Sequence, residues 1–299
     1  MNPVEQWGGA WAAIPTPFDG HGQIDFGALK RHLTFLIANQ IDGIVAVATT
    51  GEAATMTSDE KMLVLEAVVE CVDHRVPVLA GVGTNDTRTT IENAKMAAKS
   101  GVDGLLVVTP YYNKPNQEGQ YRHFCTVADN SDLPMILYNV PGRTGTKCLP
   151  ATLGRLANHP NIVGIKDATA DMVFASQTRI AAGEHFLMFS GDDGTTLPFI
   201  SVGGVGAISV VANIAPKLMH DIIALARANQ IEQARKLHEK MLPLFCALFS
   251  DTSPIPLKAM LNRTQLQYPG TLRSPLYEMT KEDADRLCEP FKELLSTCV

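Results

Sequence analysis

Short apolar runs rich in β-branched residues recur along the first two thirds of the chain. They are WAAIPTPF (11–18), GIVAVATT (43–50), PVLAGVG (77–83), GLLVVTP (104–110), PMILYNV (134–140), IVGIKDAT (162–169), FLMFSG (186–191) and VGAISVVA (205–212). Each is continuous rather than alternating and is bounded by Gly, Pro or Asp. That is the pattern of strands buried on both faces in a parallel sheet. The stretches between them carry helical periodicity. In TSDEKMLVLEAVVECV, Thr57 and Glu60 form a T-x-x-E capping box, and Met62, Leu65, Val69 and Val72 share one helical face. ALKRHLTFLIANQ offers Leu29, Leu33 and Leu36 in the same way, and TIENAKMAAKSG stops at Gly101, a natural C-cap.

The strand–helix unit repeats about eight times, the count that closes a (β/α)8 TIM barrel. A doubly wound open sheet is the alternative. After about residue 215 the alternation gives way to IEQARKLHEKMLPLFCALF, PLKAMLNR and KEDADRLCEPFKELL, all helical in pattern. The expected organisation is an α/β barrel over 1–224 followed by a C-terminal helical domain over 225–299.

Composition narrows the function classes. With 299 residues, 45% hydrophobic and 19% charged, the chain can bury a sizeable core. A net charge of -6 without basic clusters argues against nucleic acid or an anionic membrane as a partner. No uncharged apolar run approaches membrane-spanning length. The opening MNPVEQWGGAW lacks a basic region followed by an apolar stretch, so no signal peptide is expected. Cys71, Cys125, Cys148, Cys246, Cys288 and Cys298 include no CxxC pair and read as free thiols, which points to the cytoplasm.

In a barrel the working residues stand at the C-terminal ends of strands. Those ends carry Thr49-Thr50-Gly51-Glu52, Tyr111-Tyr112-Asn113, Tyr138 followed by Pro141-Gly142-Arg143, Lys166-Asp167, Gly191-Asp192-Asp193, and Ile208-Ser209. Lys166 interrupts an apolar run. Taken alone it reads as a structural lysine reaching water from a strand end. Desolvation offers the other reading. To be neutral near pH 7 a lysine must lose roughly two to three pKa units, about 3–4 kcal/mol, and the freed amine can then attack a ketone to form a Schiff base. Such chemistry needs proton carriers, and Tyr138 lies on the adjacent strand, with Thr50 and Tyr112 as candidate relay hydroxyls. Each of these, taken singly, also fits a satisfied core aromatic or a turn threonine. Arg143 after a Pro-Gly turn suits a carboxylate, or is a solvated loop arginine.

Weaker signals remain. Gly203-Gly204-Val205-Gly206 lacks the full phosphate-binding fingerprint and fits a tight αβ turn better. Asp192-Asp193 has no histidine cluster beside it, so capping outweighs metal binding. No G-x-S-x-G elbow is present, which argues against a serine hydrolase.

The segments ATTGEAATM, TPYYNKP, LYNVPGRTG, GIKDATAD, SGDD and GGVGAISVVANIAP, taken in order, resemble the signatures of the dihydrodipicolinate synthase and N-acetylneuraminate lyase superfamily. The resemblance runs from about residue 8 to the end and is strongest to the synthase branch. It implies a class I Schiff-base lyase without metal or cofactor, on a (β/α)8 barrel with a helical C-terminal domain. By that resemblance Lys166 forms an imine with pyruvate, and Tyr138, Thr50 and Tyr112 relay protons. Thr49 and Thr50 hold the pyruvyl carboxylate, Arg143 binds the carboxylate of L-aspartate 4-semialdehyde, and Gly191 and Ile208 line the pocket through backbone atoms. The resemblance also implies a homotetramer built as a dimer of dimers, with Tyr112 crossing the tight dimer interface, and a place in lysine and diaminopimelate biosynthesis.

Two departures stand out. Asp167 follows Lys166 where many members have Glu, which changes length and not charge. The chain keeps Asn85 and Tyr111, yet has Ala53, Ser58, Lys61 and Thr89 where lysine-inhibited members tend to have Ser, His, His and Glu. The expectation is weak lysine inhibition or none. The rival functions are another pyruvate-dependent aldolase (for N-acetylneuraminate or 2-keto-3-deoxy sugar acids), a catalytically dead barrel kept for binding, and a phosphate- or flavin-binding oxidoreductase. Arg143 in PGRTG and the paired threonines favour the synthase.

Overall fold

Eight parallel strands close into a barrel in sequence order. They are β1 Gly9–Ala13, β2 Gly43–Ala46, β3 Val78–Gly81, β4 Gly104–Val108, β5 Met135–Asn139, β6 Ile162–Asp167, β7 Leu187–Ser190 and β8 Gly206–Ser209. Pairing of Trp11 with Ile208 and of Trp11 with Gly43 shuts the ring at β1. The open-sheet alternative is thereby excluded. This computed structural model describes Val4 and residues 7–298. Residues 1–3, 5, 6 and 299 lie outside the described residues, and with them five of the eleven residues of the opening stretch read for a signal.

The barrel helices are α1 Phe26–Ala38, α2 Ser58–Val72, α3 Thr87–Lys99, α4 Gln117–Asp129, α5 Pro141–Thr144, α6 Pro150–Leu156, α7 Met172–Ala182, α8 Thr196–Ser201 and α9 Pro216–Arg227. Their starts follow local chemistry. Asp25, Asp86, Asn116 and Asp171 accept hydrogen bonds from first-turn N–H groups of α1, α3, α4 and α7. Thr57 and Glu60 form the capping box of α2. Pro141, Pro150 and Pro216 open α5, α6 and α9, where a missing N–H costs nothing. Leu29, Leu33 and Leu36 of α1 are buried as the spacing predicts, each worth roughly 1.5–3 kcal/mol. On α2 the buried face is Val64, Leu65, Val68 and Val72, so it is rotated from the predicted one; Met62 and Val69 lie at its edges.

Several strands are shorter than their apolar runs. WAAIPTPF yields a strand only to Ala13, because Pro15 and Pro17 cannot donate to a ladder. The run through Val47 stops at Ala46, since Val47 turns to φ 54°. After Ser209 the N–H groups of Val210 and Val211 go to the Asp193 carboxylate, both at 3.0 Å, and that of Ala212 goes to Ser209 Oγ at 2.8 Å. With those donors taken, β8 ends and a 3-10 turn follows over Val211–Asn213.

Two apolar layers result. Strand residues facing outward join the helices in the main core. The inward set, including Trp11, Val45, Leu79, Leu106, Ile136, Tyr138, Phe189 and Ile208, fills the barrel. Trp11 meets Phe189 edge-on at 5.6 Å and lies so close over Gly43 that a Cβ there would stand 2.2 Å from the indole. The barrel floor is therefore a packed plug, and ligand access is left to the opposite end.

Beyond α9 come α10 Ile231–Leu248, α11 Ile255–Leu261, α12 Lys281–Cys288 and α13 Lys292–Ser296. Helix α10 continues through Pro243. The division predicted between 224 and 225 falls within α9. Tyr268, fully buried, donates from its hydroxyl to the Pro15 carbonyl at 2.8 Å and ties this segment to the barrel rim.

Candidate active site

Side chains alternate along a strand, so residues two apart share a face. On β6, Ile165 belongs to the outer core, which sends Lys166 inward and Asp167 outward. On β5, Ile136 and Tyr138 point inward. The register pairs Tyr138 with Lys166 and Asn139 with Asp167. The amine and the phenol are thus brought together on neighbouring strands. Lys166 Nζ lies 4.4 Å from the centroid of the Tyr138 ring.

Both groups are buried, Lys166 at 5% exposure and Tyr138 at 7%. Burial lowers the Lys166 pKa to about 8. The nearby Asp193 carboxylate opposes that shift and the Arg143 guanidinium adds to it. Among the described residues no carboxylate forms an ion pair with Lys166. Burial pushes Tyr138 up to about 12, against Arg143 and a hydrogen bond from Thr49. Burial therefore raises the share of neutral amine well above that of an ordinary lysine, although most of it still carries a proton near pH 7, and it keeps the phenol beside it neutral, a nucleophile next to a proton donor. Asp167, facing the helices, is held by Thr169, whose N–H and hydroxyl donate at 3.1 and 3.0 Å, and burial raises it to about 6.

A cavity of about 380 Å³ opens at the C-terminal end of the strands, and Thr49, Tyr138, Arg143, Tyr111 and Lys61 are among its lining residues. Thr49 lines the cavity together with Tyr138 and pulls against the upward shift of the phenol, whereas Thr50 is buried and stands outside the lining. The structure thus places Thr49, not Thr50, in the cavity beside Tyr138. The reason is the turn: Glu52 N–H donates to the Thr49 carbonyl at 3.0 Å, and adjacent residues of so tight a turn project differently. No group among the described residues accepts from the backbone N–H of Thr49 or Thr50, which leaves both as donors for an anion.

Arg143, on α5, is exposed at the cavity edge and donates from Nη2 to the Ser253 carbonyl at 2.9 Å. Gly191 and Ile208 do not line the cavity, and Lys166 itself stands outside the lining, buried beside the Tyr138 ring that does line it. The Gly191 N–H donates to the Asp167 carbonyl at 2.7 Å, and a Cβ there would meet that of Ala168 at 2.8 Å. Ile208 is 1% exposed within the barrel filling. Tyr112 is not brought to Lys166 within the chain. It is 87% exposed at φ 69°, an unfavourable conformation for a bulky residue.

Asp192 and Asp193 resolve as turn and capping groups. Asp192 accepts from the Thr195 N–H and hydroxyl, both at 2.9 Å, and Asp193 holds the chain after β8. The Gly203–Gly206 stretch is the αβ turn into β8, with Gly203 at φ 98°. Sequence reading did not find the electrostatic reach of Asp193 to Lys166, nor the Ser253 carbonyl on Arg143, nor the buried Glu52–Lys258 ion pair. A lysine in the apolar run PIPLKAML was the available signal for the last.

Comparison with known proteins supplies a further finding. A family model described as the dihydrodipicolinate synthetase family matches residues 6–294. The 4-hydroxy-tetrahydrodipicolinate synthase of Thermodesulfovibrio yellowstonii is 46% identical over 284 residues, covering 94% of this chain and 96% of that protein. The crystal structure of dihydrodipicolinate synthase from Thermotoga maritima superposes with a TM-score of 0.93 at 39% identity, over 96% of this chain and 98% of that one. The Acinetobacter baumannii synthase, described as chloride-inhibited and solved with pyruvate, gives a TM-score of 0.93 at 40% identity with the same coverage.

Proposed function

The chain belongs to the dihydrodipicolinate synthetase family, and from that premise we propose how its site works as a class I Schiff-base lyase. It condenses pyruvate with L-aspartate 4-semialdehyde to 4-hydroxy-tetrahydrodipicolinate, in the route to diaminopimelate and lysine. The observation that carries the residue roles is the buried, unpaired amine of Lys166 facing the Tyr138 phenol.

Neutral Lys166 adds to C2 of pyruvate. Tyr138 donates a proton to the departing hydroxyl, water leaves, and the imine forms. Loss of a proton from C3 gives the enamine, whose C3 attacks the aldehyde carbon of the semialdehyde. The substrate amine then adds to the imine carbon and displaces Lys166, which closes the ring and frees the enzyme. Thr49 is the hydroxyl partner of Tyr138 in this reading, and Thr50 serves through its backbone N–H beside that of Thr49, holding the pyruvyl carboxylate. Arg143 receives the carboxylate of the second substrate by paired hydrogen bonds. Gly191 and Ile208 shape the wall behind the imine.

Tyr112 is assigned to the site of a second copy. Its exposure and left-handed backbone support that role, within a tight dimer and a tetramer of two such dimers. No helix among the described residues is long and apolar enough to cross a membrane. The six free thiols support a cytoplasmic setting. The test is a comparison of condensation of pyruvate with aspartate semialdehyde against cleavage of N-acetylneuraminate and of 2-keto-3-deoxygluconate. Condensation is expected to dominate, and a preference for either cleavage overturns the reading.

A further inference from the structure

The C-terminal segment meets the reaction machinery at two points. Ser253 holds Arg143 through its carbonyl. Lys258, on α11 and fully buried, pairs with the carboxylate of Glu52. Lys258 Nζ also donates to the Thr271 carbonyl at 2.8 Å and lies 4.4 Å from the centroid of the Phe18 ring. The other Glu52 oxygen accepts from the Arg273 N–H at 3.0 Å. Arg273 in turn reaches the Thr55 carbonyl at 3.0 Å and forms a two-pronged pair with Glu60 at the start of α2.

Glu52 is the last residue of the turn that starts at Thr49, and it sits at φ 55°. Every oxygen of its side chain is committed to the C-terminal segment. A dry ion pair is a costly way to hold a fold, since each ion loses several kcal/mol of hydration and apolar replacements are often as stable or more so. What such a pair does supply is a fixed direction. Here the direction is that of the turn bearing Thr49.

We propose that Lys258 is a positioning residue of the reaction: through Glu52 it fixes the Thr49–Glu52 turn and so keeps the Thr49 hydroxyl on the Tyr138 phenol. The proposal rests on the imine reading above. Lys258 is not a rival nucleophile, because its ammonium is spent on Glu52 and Thr271, whereas among the described residues Lys166 has no such partner.

The test uses the full chain and three variants, Glu52→Gln, Lys258→Met and the double variant, which removes both charges. The readouts are the thermal melt, the pyruvate KM and the rate of borohydride trapping of pyruvate at saturation. Failure of the unmodified enzyme to trap pyruvate would sink the imine reading itself, before any variant is made. In each variant that keeps a cooperative melt, trapping at saturating pyruvate is expected to slow at least tenfold, and the pyruvate KM to rise as well, because the same turn carries the N–H groups that hold the pyruvyl carboxylate. A folded variant that traps at the unmodified rate overturns the proposal. So does loss of the melt in all three, which makes the pair a folding contact only.

Discussion

Lys166 and Tyr138 are register partners on β6 and β5, and the amine stands 4.4 Å from the centroid of the phenol ring. Burial moves their pKa values apart, to about 8 and about 12, and in each case towards the neutral form. The rate of imine formation should therefore rise with pH as Lys166 loses its proton, with a midpoint near 8, and stay level until Tyr138 begins to ionise. Rapid-mixing measurement of adduct formation across pH checks this. A midpoint near 10, the ordinary lysine value, would mean that burial does not tune the amine.

Arg143 sits close enough to lower the proton affinity of Lys166, yet its assigned task is the second substrate. Arg143→Ala is expected to form the pyruvate imine but to lose about two orders of magnitude or more in condensation. Removing this cation should also shift the midpoint of imine formation upward. Equal loss in both steps, or a midpoint moved downward, would contradict the assignment.

Tyr112 is 87% exposed in the single chain, although the relay role proposed for it requires an active site around it. Specific activity is therefore expected to fall on dilution in step with dissociation followed by sedimentation, and Tyr112→Phe should slow catalysis without weakening the assembly. Full activity in a proven monomer would remove Tyr112 from the relay.

The fold was largely legible because every strand was a short apolar run between turn residues, and eight such units leave few ways to close. The meeting of Lys166 and Tyr138 was legible for the same reason, since both are polar groups inside those runs and the runs are neighbouring strands. The choice between Thr49 and Thr50 was not, since adjacent threonines differ only in the direction a tight turn gives them. Nor was Lys258 with Glu52, a contact between residues far apart in sequence. The buried face of α2 is shifted from the predicted one, centred on Val64, Leu65 and Val68, with Val69 packed only partly buried at its edge.

Lys61 lines the cavity half-buried, where desolvation lowers its pKa, and Thr89 is turned onto Asp86, its hydroxyl donating at 2.6 Å. A cationic ligand would meet a cation there, and the Glu52 carboxylate in the lining is already paired with Lys258. Turnover should stay nearly constant across a lysine titration. Strong inhibition at sub-millimolar lysine would contradict this.

The central claim is that Lys166 is the amine that takes up pyruvate. Incubation with pyruvate and borohydride followed by peptide mass spectrometry tests it most directly. The account predicts one reduced pyruvyl adduct per chain, on Lys166, and none in Lys166→Met. An adduct on another lysine such as Lys258, or active enzyme that traps no pyruvate at all, would contradict it.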